Sequence, residues 1–294
     1  MFLDRLKNRI KILFRNIKHF IKLFLNKEIP KIDLSNLNYS KYNSGDIQSE
    51  LKNNNLILSS NSKKVHRSRF TEFKEMFEIL DDMKIIYLTH SERDQYMNNS
   101  WKNHKILDVY NNSIFHQSKA DIFRYTFLYE FGGFWLDFKS SLNFNPQKLI
   151  SGNHNTVLLL GPKLIEKDKQ IQVDDEILVK LKYRYLTNWF IGGKNENAFL
   201  LKLIDNICEK SDYYSGKTFK NPKETILEFT GPTCLTNTFI EYSLKNPMEM
   251  ESINVVDEEK TDVRFTTDFS RTFSILDNVT KFPYANLKNK KILK

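Results

Sequence analysis

The stretch from Gln117 to Ser141 most constrains what this chain can fold into. Ala120, Phe123, Phe127 and Phe131 fall at helical spacing and predict a helix with a core-facing stripe. Gly132 and Gly133 follow at once, where a helix end calls for a residue at positive φ. Phe134-Trp135-Leu136 then has the bulk of an interior strand. Alternate side chains of a strand share a face, so Trp135, Asp137 and Lys139 are expected on one side and Phe134, Leu136 and Phe138 on the other. Asp121 and Arg124 sit three apart on the preceding helix, in reach of one another. A carboxylate and an ammonium leaving a core strand beside an Asp/Arg pair make a polar cluster that packing does not require.

The segments on either side continue the alternation. Lys64–Arg67 reads as a short first strand, Phe70–Leu80 as a helix, Met83–Leu88 as a strand and Ser91–Asn98 as a helix. Ile106–Tyr110 is a short apolar segment. Thr156–Leu160 and Trp189–Ile191 read as strands, the second running into Gly192-Gly193. Asn197–Ile207 is an amphipathic helix, Thr230-Gly231-Pro232 a turn opening a helix through Tyr242, and Ile253–Val256 a further strand. Helices alternating with short apolar strands over 64–256 predict an α/β fold with a largely parallel central sheet. In such sheets ligands bind at the carboxyl ends of strands, where Asp137 is expected.

The net charge of +9 is concentrated at the start of the chain. Residues 1–31 carry nine Lys/Arg against Asp4 and Glu28, which leaves the rest nearly balanced and argues against nucleic acid as a partner of the whole chain. Leu3, Leu6, Ile10, Leu13, Ile17, Ile21 and Phe24 repeat at three and four among those basic residues, so 1–30 reads as a basic amphipathic helix. It is suited to an anionic membrane surface more than to packing on the domain with its basic face in water, since a packed helix seldom carries so one-sided a charge. No apolar run is long enough to span a membrane, and no secretory signal is recognisable. Residues 31–62, rich in Asn and Ser, read as a linker carrying one apolar patch, Leu56-Ile57-Leu58, so the folded domain is expected over 63–294. A charged surface insertion near 163–184 includes Asp174-Asp175-Glu176. Cys208 and Cys234 have neither metal nor redox spacing and read as free thiols.

Taken singly, each feature of the 117–141 cluster has an ordinary reading: a surface ion pair, a helix cap, a core tryptophan. Together and in order, Ser-Lys-Ala-Asp-Ile-Phe-Arg-Tyr followed by Tyr-Glu-Phe-Gly-Gly-Phe-Trp-Leu-Asp-Phe-Lys resembles the glycosyltransferases with a DXD-containing sugar-binding region. These include fungal initiating mannosyltransferases, capsular polysaccharide synthesis proteins and, more distantly, large glucosylating toxins. Asn188-Trp189 and Thr230-Gly231-Pro232 are similar to later segments of that family, and Lys64–Arg69 weakly resembles its early strand.

The resemblance implies a GT-A type, Rossmann-like nucleotide-sugar fold and a retaining transfer from a nucleotide-sugar to a glycan or lipid-linked acceptor. It also implies work in surface polysaccharide synthesis, capsule or lipopolysaccharide, at the cytoplasmic face of the membrane. Carried over by position, Asp137 and Lys139 are the catalytic candidates. Asp121, Arg124, Tyr125, Gly132, Gly133 and Trp135 are candidates for the donor sugar, and His66, Asn188 and Gly231 for the nucleotide. Asp137 is the candidate ligand for Mn²⁺ or Mg²⁺. The departure is Lys139, which stands where the family has the second Asp, and an ammonium cannot coordinate a cation. Three readings stay open: Lys139 replaces the metal, Asp137 holds a metal without it, or the site is a non-catalytic binding site for a sugar nucleotide.

Overall fold

The computed structural model describes residues 31–34, 37, 40–41, 53–80, 82–150, 152–161, 177, 181, 184–258 and 287–294. The basic segment 1–30 and the acidic triplet 174–176 lie outside them. In chain order the strands are β1 (Lys31–Asp33), β2 (Ser40–Lys41), β3 (Asn55–Ser60), β4 (Lys64–His66), β5 (Lys84–Thr89), β6 (Gly133–Leu136), β7 (Thr156–Leu160), β8 (Leu186–Gly193), β9 (Thr218–Phe219), β10 (Ile253–Asp257) and β11 (Lys290–Lys291). The α-helices are α1 (Arg67–Ile79), α2 (His90–Ser100), α3 (Lys105–Asn112), α4 (His116–Phe131), α5 (Ala198–Tyr214), α6 (Pro222–Phe229) and α7 (Pro232–Lys245).

Among the described residues seven strands form the central sheet, in the order β10-β7-β8-β6-β3-β5-β2. All neighbours are parallel except at β8, which runs against both β6 and β7. The expected mostly parallel α/β sheet is present, with one reversed strand. That reversal brings the start of β8 to the edge where the parallel strands end, beside Asp137. The Asp137 N–H donates to the Trp189 carbonyl at 2.7 Å.

The inner strands β3, β5, β6, β7 and β8 bury both faces, as parallel sheets do. Ile57, Ile86, Trp135, Leu158 and Ile191 pack into a core shared with α2 to α7. Their neighbours Leu56, Leu58, Ile85, Phe134, Leu136, Val157 and Phe190 pack on the opposite face against Phe73 and Met76 of α1. The predicted faces of Trp135 against Phe134 and Leu136 hold. The helix α4 is buried nearly all round, which is why its apolar residues exceed a single stripe. Ala120 is the exception to the predicted stripe, since it lies at a cleft and not in the core.

Two sequence readings need correction. Residues 55–60, expected as part of a linker, form a central strand between β6 and β5. Lys64–Arg67, expected as the first strand of the domain, is a strand over Lys64–His66 but the fourth in order, and it pairs with β1 in an antiparallel ribbon apart from the central sheet. At the end of the 163–184 segment, Arg184 makes a bidentate pair with Asp257 at 2.6 and 2.7 Å. It also donates to the Gly161 carbonyl, tying the ends of β7 and β10 together.

Candidate active site

Three elements bring one polar network together. The first turns of α4 present Asp121, Arg124 and Tyr125, which share a face at spacings of three and four. The end of β6 supplies Asp137, and the reversed β8 supplies Asn188. The turn between α6 and α7 adds Thr230. Asp121 Oδ1 accepts from Asn188 Nδ2 at 2.9 Å and pairs with Arg124 Nη2 at 3.1 Å, while Oδ2 accepts from Thr230 Oγ1 at 3.0 Å. Arg124 also pairs with Asp137 Oδ1 at 3.2 Å and donates to the Asn188 carbonyl. The same Asp137 oxygen accepts from Trp135 Nε1 at 2.8 Å, and the guanidinium lies 4.8 Å over the Trp135 ring. Tyr125 closes the network from behind, donating to the Thr230 carbonyl at 2.9 Å and accepting from Asn188 at 3.1 Å.

Burial divides these groups by role. The side chains of Asp121 and Arg124 are 9% and 5% exposed, whereas that of Asp137 is 40% exposed. Burial, reinforced by the nearby Asp137, pushes the Asp121 carboxyl up to about 7 against the pull of Arg124, Thr230 and Asn188. Burial works against the Arg124 charge, but Asp137 and Asp121 outweigh it and hold the guanidinium above its ordinary value. The Asp121–Arg124 pair is therefore interior, not the surface pair of its ordinary reading. Asp137 is more exposed than the Asp121 and Arg124 side chains it is paired through.

The network floors a cleft of about 570 Å³. Of the sequence-predicted residues, Asp121, Arg124, Trp135, Asp137, Lys139 and Asn188 line it. Lys139 is exposed, and it sits in a turn closed by a bond from Ser140 N to Asp137 O at 2.8 Å. The strand has ended at Leu136, so alternation with Trp135 does not govern where Lys139 points. Tyr125 is fully buried and stands behind the cleft. Gly231 caps α7 and packs on the Leu227 backbone, outside the lining.

Gly132 and Gly133 are at the opposite end of β6 from the cleft, a correction to their expected place beside a donor. They have φ of +65° and +101°, and a Cβ on Gly133 would lie 2.5 Å from the Asn55 carbonyl oxygen. Their role in the structure is the tight passage from α4 into the sheet. The His66 side chain lies outside the described residues.

Other residues of the cleft escaped the sequence reading. Ser59 lies near the carboxyl end of β3 and His90 follows that of β5, and the strand-end rule would have found them once β3 was recognised. His90 stacks on His116 with ring centroids 4.6 Å apart. Burial, then Arg93, then His116 hold His90 down to about 4, and burial with Arg93 lowers His116 as well, so both rings are neutral near pH 7. Thr230 belongs to the Thr230-Gly231-Pro232 turn, but no local signal marks it as the Asp121 partner.

Residues 4–154 match the family model described as the glycosyltransferase sugar-binding region containing a DXD motif, just over half of the chain. The chain belongs to this family. No curated protein sequence matches it. Among solved structures it is similar to one titled PaToxG Glycosyltransferase, at 12% identity and a TM-score of 0.38, covering 78% of this chain and 87% of that one. That similarity is too distant to give any residue a role.

Family members commonly use a divalent metal, so the donor set needs testing for one. Asp137 is the single carboxylate of the motif, and its Oδ1 already serves Arg124 and Trp135. Asp121 spends both oxygens inside the network. The position of the second Asp carries Lys139. Among the described residues no group of three His, Cys, Asp or Glu is placed to hold a metal. These residues do not fit a divalent ion held by the protein, which needs several oxygen ligands.

Proposed function

We propose that this protein transfers a sugar from a nucleotide-sugar donor to a glycan or lipid-linked acceptor, with retention of anomeric configuration, in the synthesis of a surface polysaccharide. The observation that carries the reading is Asp137: a half-exposed carboxylate at the cleft, held by Arg124 and Trp135 above a buried network, in a chain of the DXD glycosyltransferase family.

Each part has a task in such a transfer. Asp137 accepts hydrogen bonds from donor hydroxyls, which ionised carboxylates bind strongly and with direction. Arg124, clamped by two carboxylates and the Asn188 carbonyl, fixes the Asp137 rotamer and lends positive charge to the floor of the cleft. Asp121, Asn188, Thr230 and Tyr125 position Arg124. Lys139, at the cleft edge, faces the negative charge that grows on the leaving diphosphate as the glycosidic bond breaks, where a fixed cation is most effective. Residues 1–31, with their one-sided basic charge, are proposed to hold the enzyme on the inner face of the membrane near a lipid-linked acceptor.

The test is a thermal-shift panel of UDP-, GDP- and CMP-sugars on the full chain, with and without Mn²⁺. One donor class is expected to raise the melting temperature. Absence of a shift with every donor, under both conditions, would overturn the reading.

A further inference from the structure

The turn after β6 is held far more firmly than a surface turn requires. Arg69, from the first turn of α1, is 6% exposed. Its Nη2 donates to the carbonyls of both Phe138 and Ser140, at 2.5 Å each. These two carbonyls flank Lys139. Glu72 pairs with Arg69 Nη1 at 2.7 Å and fixes the guanidinium from the other side. The guanidinium lies 4.2 Å over the Phe73 ring, and Phe138 packs on Phe73 at 5.2 Å and on Tyr87 at 5.8 Å. The Ser140 N–H closes the turn onto the Asp137 carbonyl. Residues on both sides of Lys139 are thus fixed to α1 and to the sheet, and Lys139 itself is exposed along the cleft.

In a site built around a metal, this loop would carry the second carboxylate. Here it carries a cation on a rigid mount, while the remaining carboxylate, Asp137, is turned toward Arg124. We infer that the Asp137–Ser140 turn is a metal-free seat for the diphosphate of the donor, with Lys139 as the group that touches phosphate and Arg69 as the positioning residue that sets its place. The inference rests on the donor reading above and goes beyond it in making the seat metal-free and in naming Arg69 as the residue that holds it. An ammonium serves this purpose as a point charge with three donors. A flexible lysine loses entropy when it binds, and a turn anchored at both flanking carbonyls reduces the backbone part of that loss.

Calorimetric titration of the full chain with UDP and with GDP, in EDTA and in Mn²⁺, tests this directly. The wild type is expected to bind one of them equally well under both conditions. Lys139→Ala is expected to weaken binding about tenfold or more, the usual worth of a hydrogen bond to a charged group. Lys139→Asp is expected to bind only when Mn²⁺ is added. Arg69→Lys keeps the charge but not the planar fork in which Nη2 holds the two carbonyls while Nη1 is fixed by Glu72. It is expected to weaken binding in the wild-type background and to change nothing further in Lys139→Ala. An equal loss in both backgrounds would show Arg69 to be merely structural and would overturn its positioning role. Binding of the wild type only with Mn²⁺, or an unchanged affinity in Lys139→Ala, would overturn the seat while leaving the donor reading intact. Absence of UDP and GDP binding under every condition would overturn the seat, and only absence of a shift with every sugar nucleotide of the panel above would overturn the donor reading as well.

Discussion

Replacing Asp121 by Ala and by Asn should have sharply different consequences, and the hydrogen bonds say why. In Asp121→Ala, Asn188 Nδ2 and Thr230 Oγ1 lose their acceptor, and the buried Arg124 loses one of its two carboxylates. Asn188 retains Tyr125, and Arg124 retains Asp137, so the damage is partial. A buried group left unsatisfied costs about 1–3 kcal/mol, and removing one partner of a buried ion pair about 3–5 kcal/mol, so a total loss of about 3–5 kcal/mol is expected.

In Asp121→Asn the carbonyl oxygen can keep both Asn188 and Arg124. The amide nitrogen then faces Thr230 Oγ1, whose hydroxyl can turn to accept and give its own proton to the Ile226 carbonyl, 3.5 Å away. The carboxylate being replaced is itself costly to ionise, since its pKa stands at about 7. Asp121→Asn should therefore lie within about 1 kcal/mol of wild type. Urea unfolding, with midpoints compared at equal slope, measures both. Equal losses for Ala and Asn, or a loss under about 1 kcal/mol for Ala, would refute the claim that satisfied hydrogen bonding around Asp121 holds this floor together.

Two further outcomes follow from the same structure. The folded state keeps a proton on Asp121 that the unfolded chain releases near the ordinary value of 3.8, so this group's contribution to stability falls as pH rises from there to about 7 and is level above it. Chemical unfolding of wild type and Asp121→Asn across that range should show the extra fall only in wild type, and parallel profiles would contradict it. Gly133→Ala places a methyl 2.5 Å from the Asn55 carbonyl oxygen at φ +101°, both in the middle of the sheet. A loss of about 2 kcal/mol or more is expected by urea unfolding, and a neutral result would show that the β6–β3 contact gives way easily.

The helix–Gly-Gly–strand unit was legible because its signals are local. The 3.6 period of α4, the glycine break and the alternation across β6 are all written within 25 residues of one another. The strand β3 was not, because six residues buried on both faces make only a short apolar run, and the Asn- and Ser-rich surroundings set the reading of the whole segment. The α3 helix suffered similarly, its eight residues being too few to show a period. The reversed direction of β8 has no local signature at all, since a strand does not encode the direction of its neighbour. Yet that reversal places Asn188 in the cleft.

The candidate site divides the same way. Asp121, Arg124 and Asp137 could be found from spacing and resemblance. The partners that define their electrostatics come from 67 and 109 residues beyond Asp121, in Asn188 and Thr230. Arg69, 71 residues before Ser140, was equally out of reach. Gly132 and Gly133 show the opposite error. Resemblance placed them beside a donor, while the backbone geometry puts them at the far end of the strand.

The central claim is that this cleft, with Asp137 as its ligand-facing carboxylate, is the donor site of a glycosyltransferase. The most direct measurement is sugar release from the nucleotide-sugar that stabilises the protein, in wild type and in Asp137→Asn. Asp137 is partly exposed, Arg124 keeps Asp121, and an Asn carbonyl can still accept from Trp135, so the variant should remain folded, within about 2 kcal/mol of wild type. The account predicts turnover in wild type and a loss of at least about a hundredfold in the variant, the scale set by removing a group that acts in the transition state. Equal turnover in the two proteins, or none in a wild type that binds its donor, would contradict it.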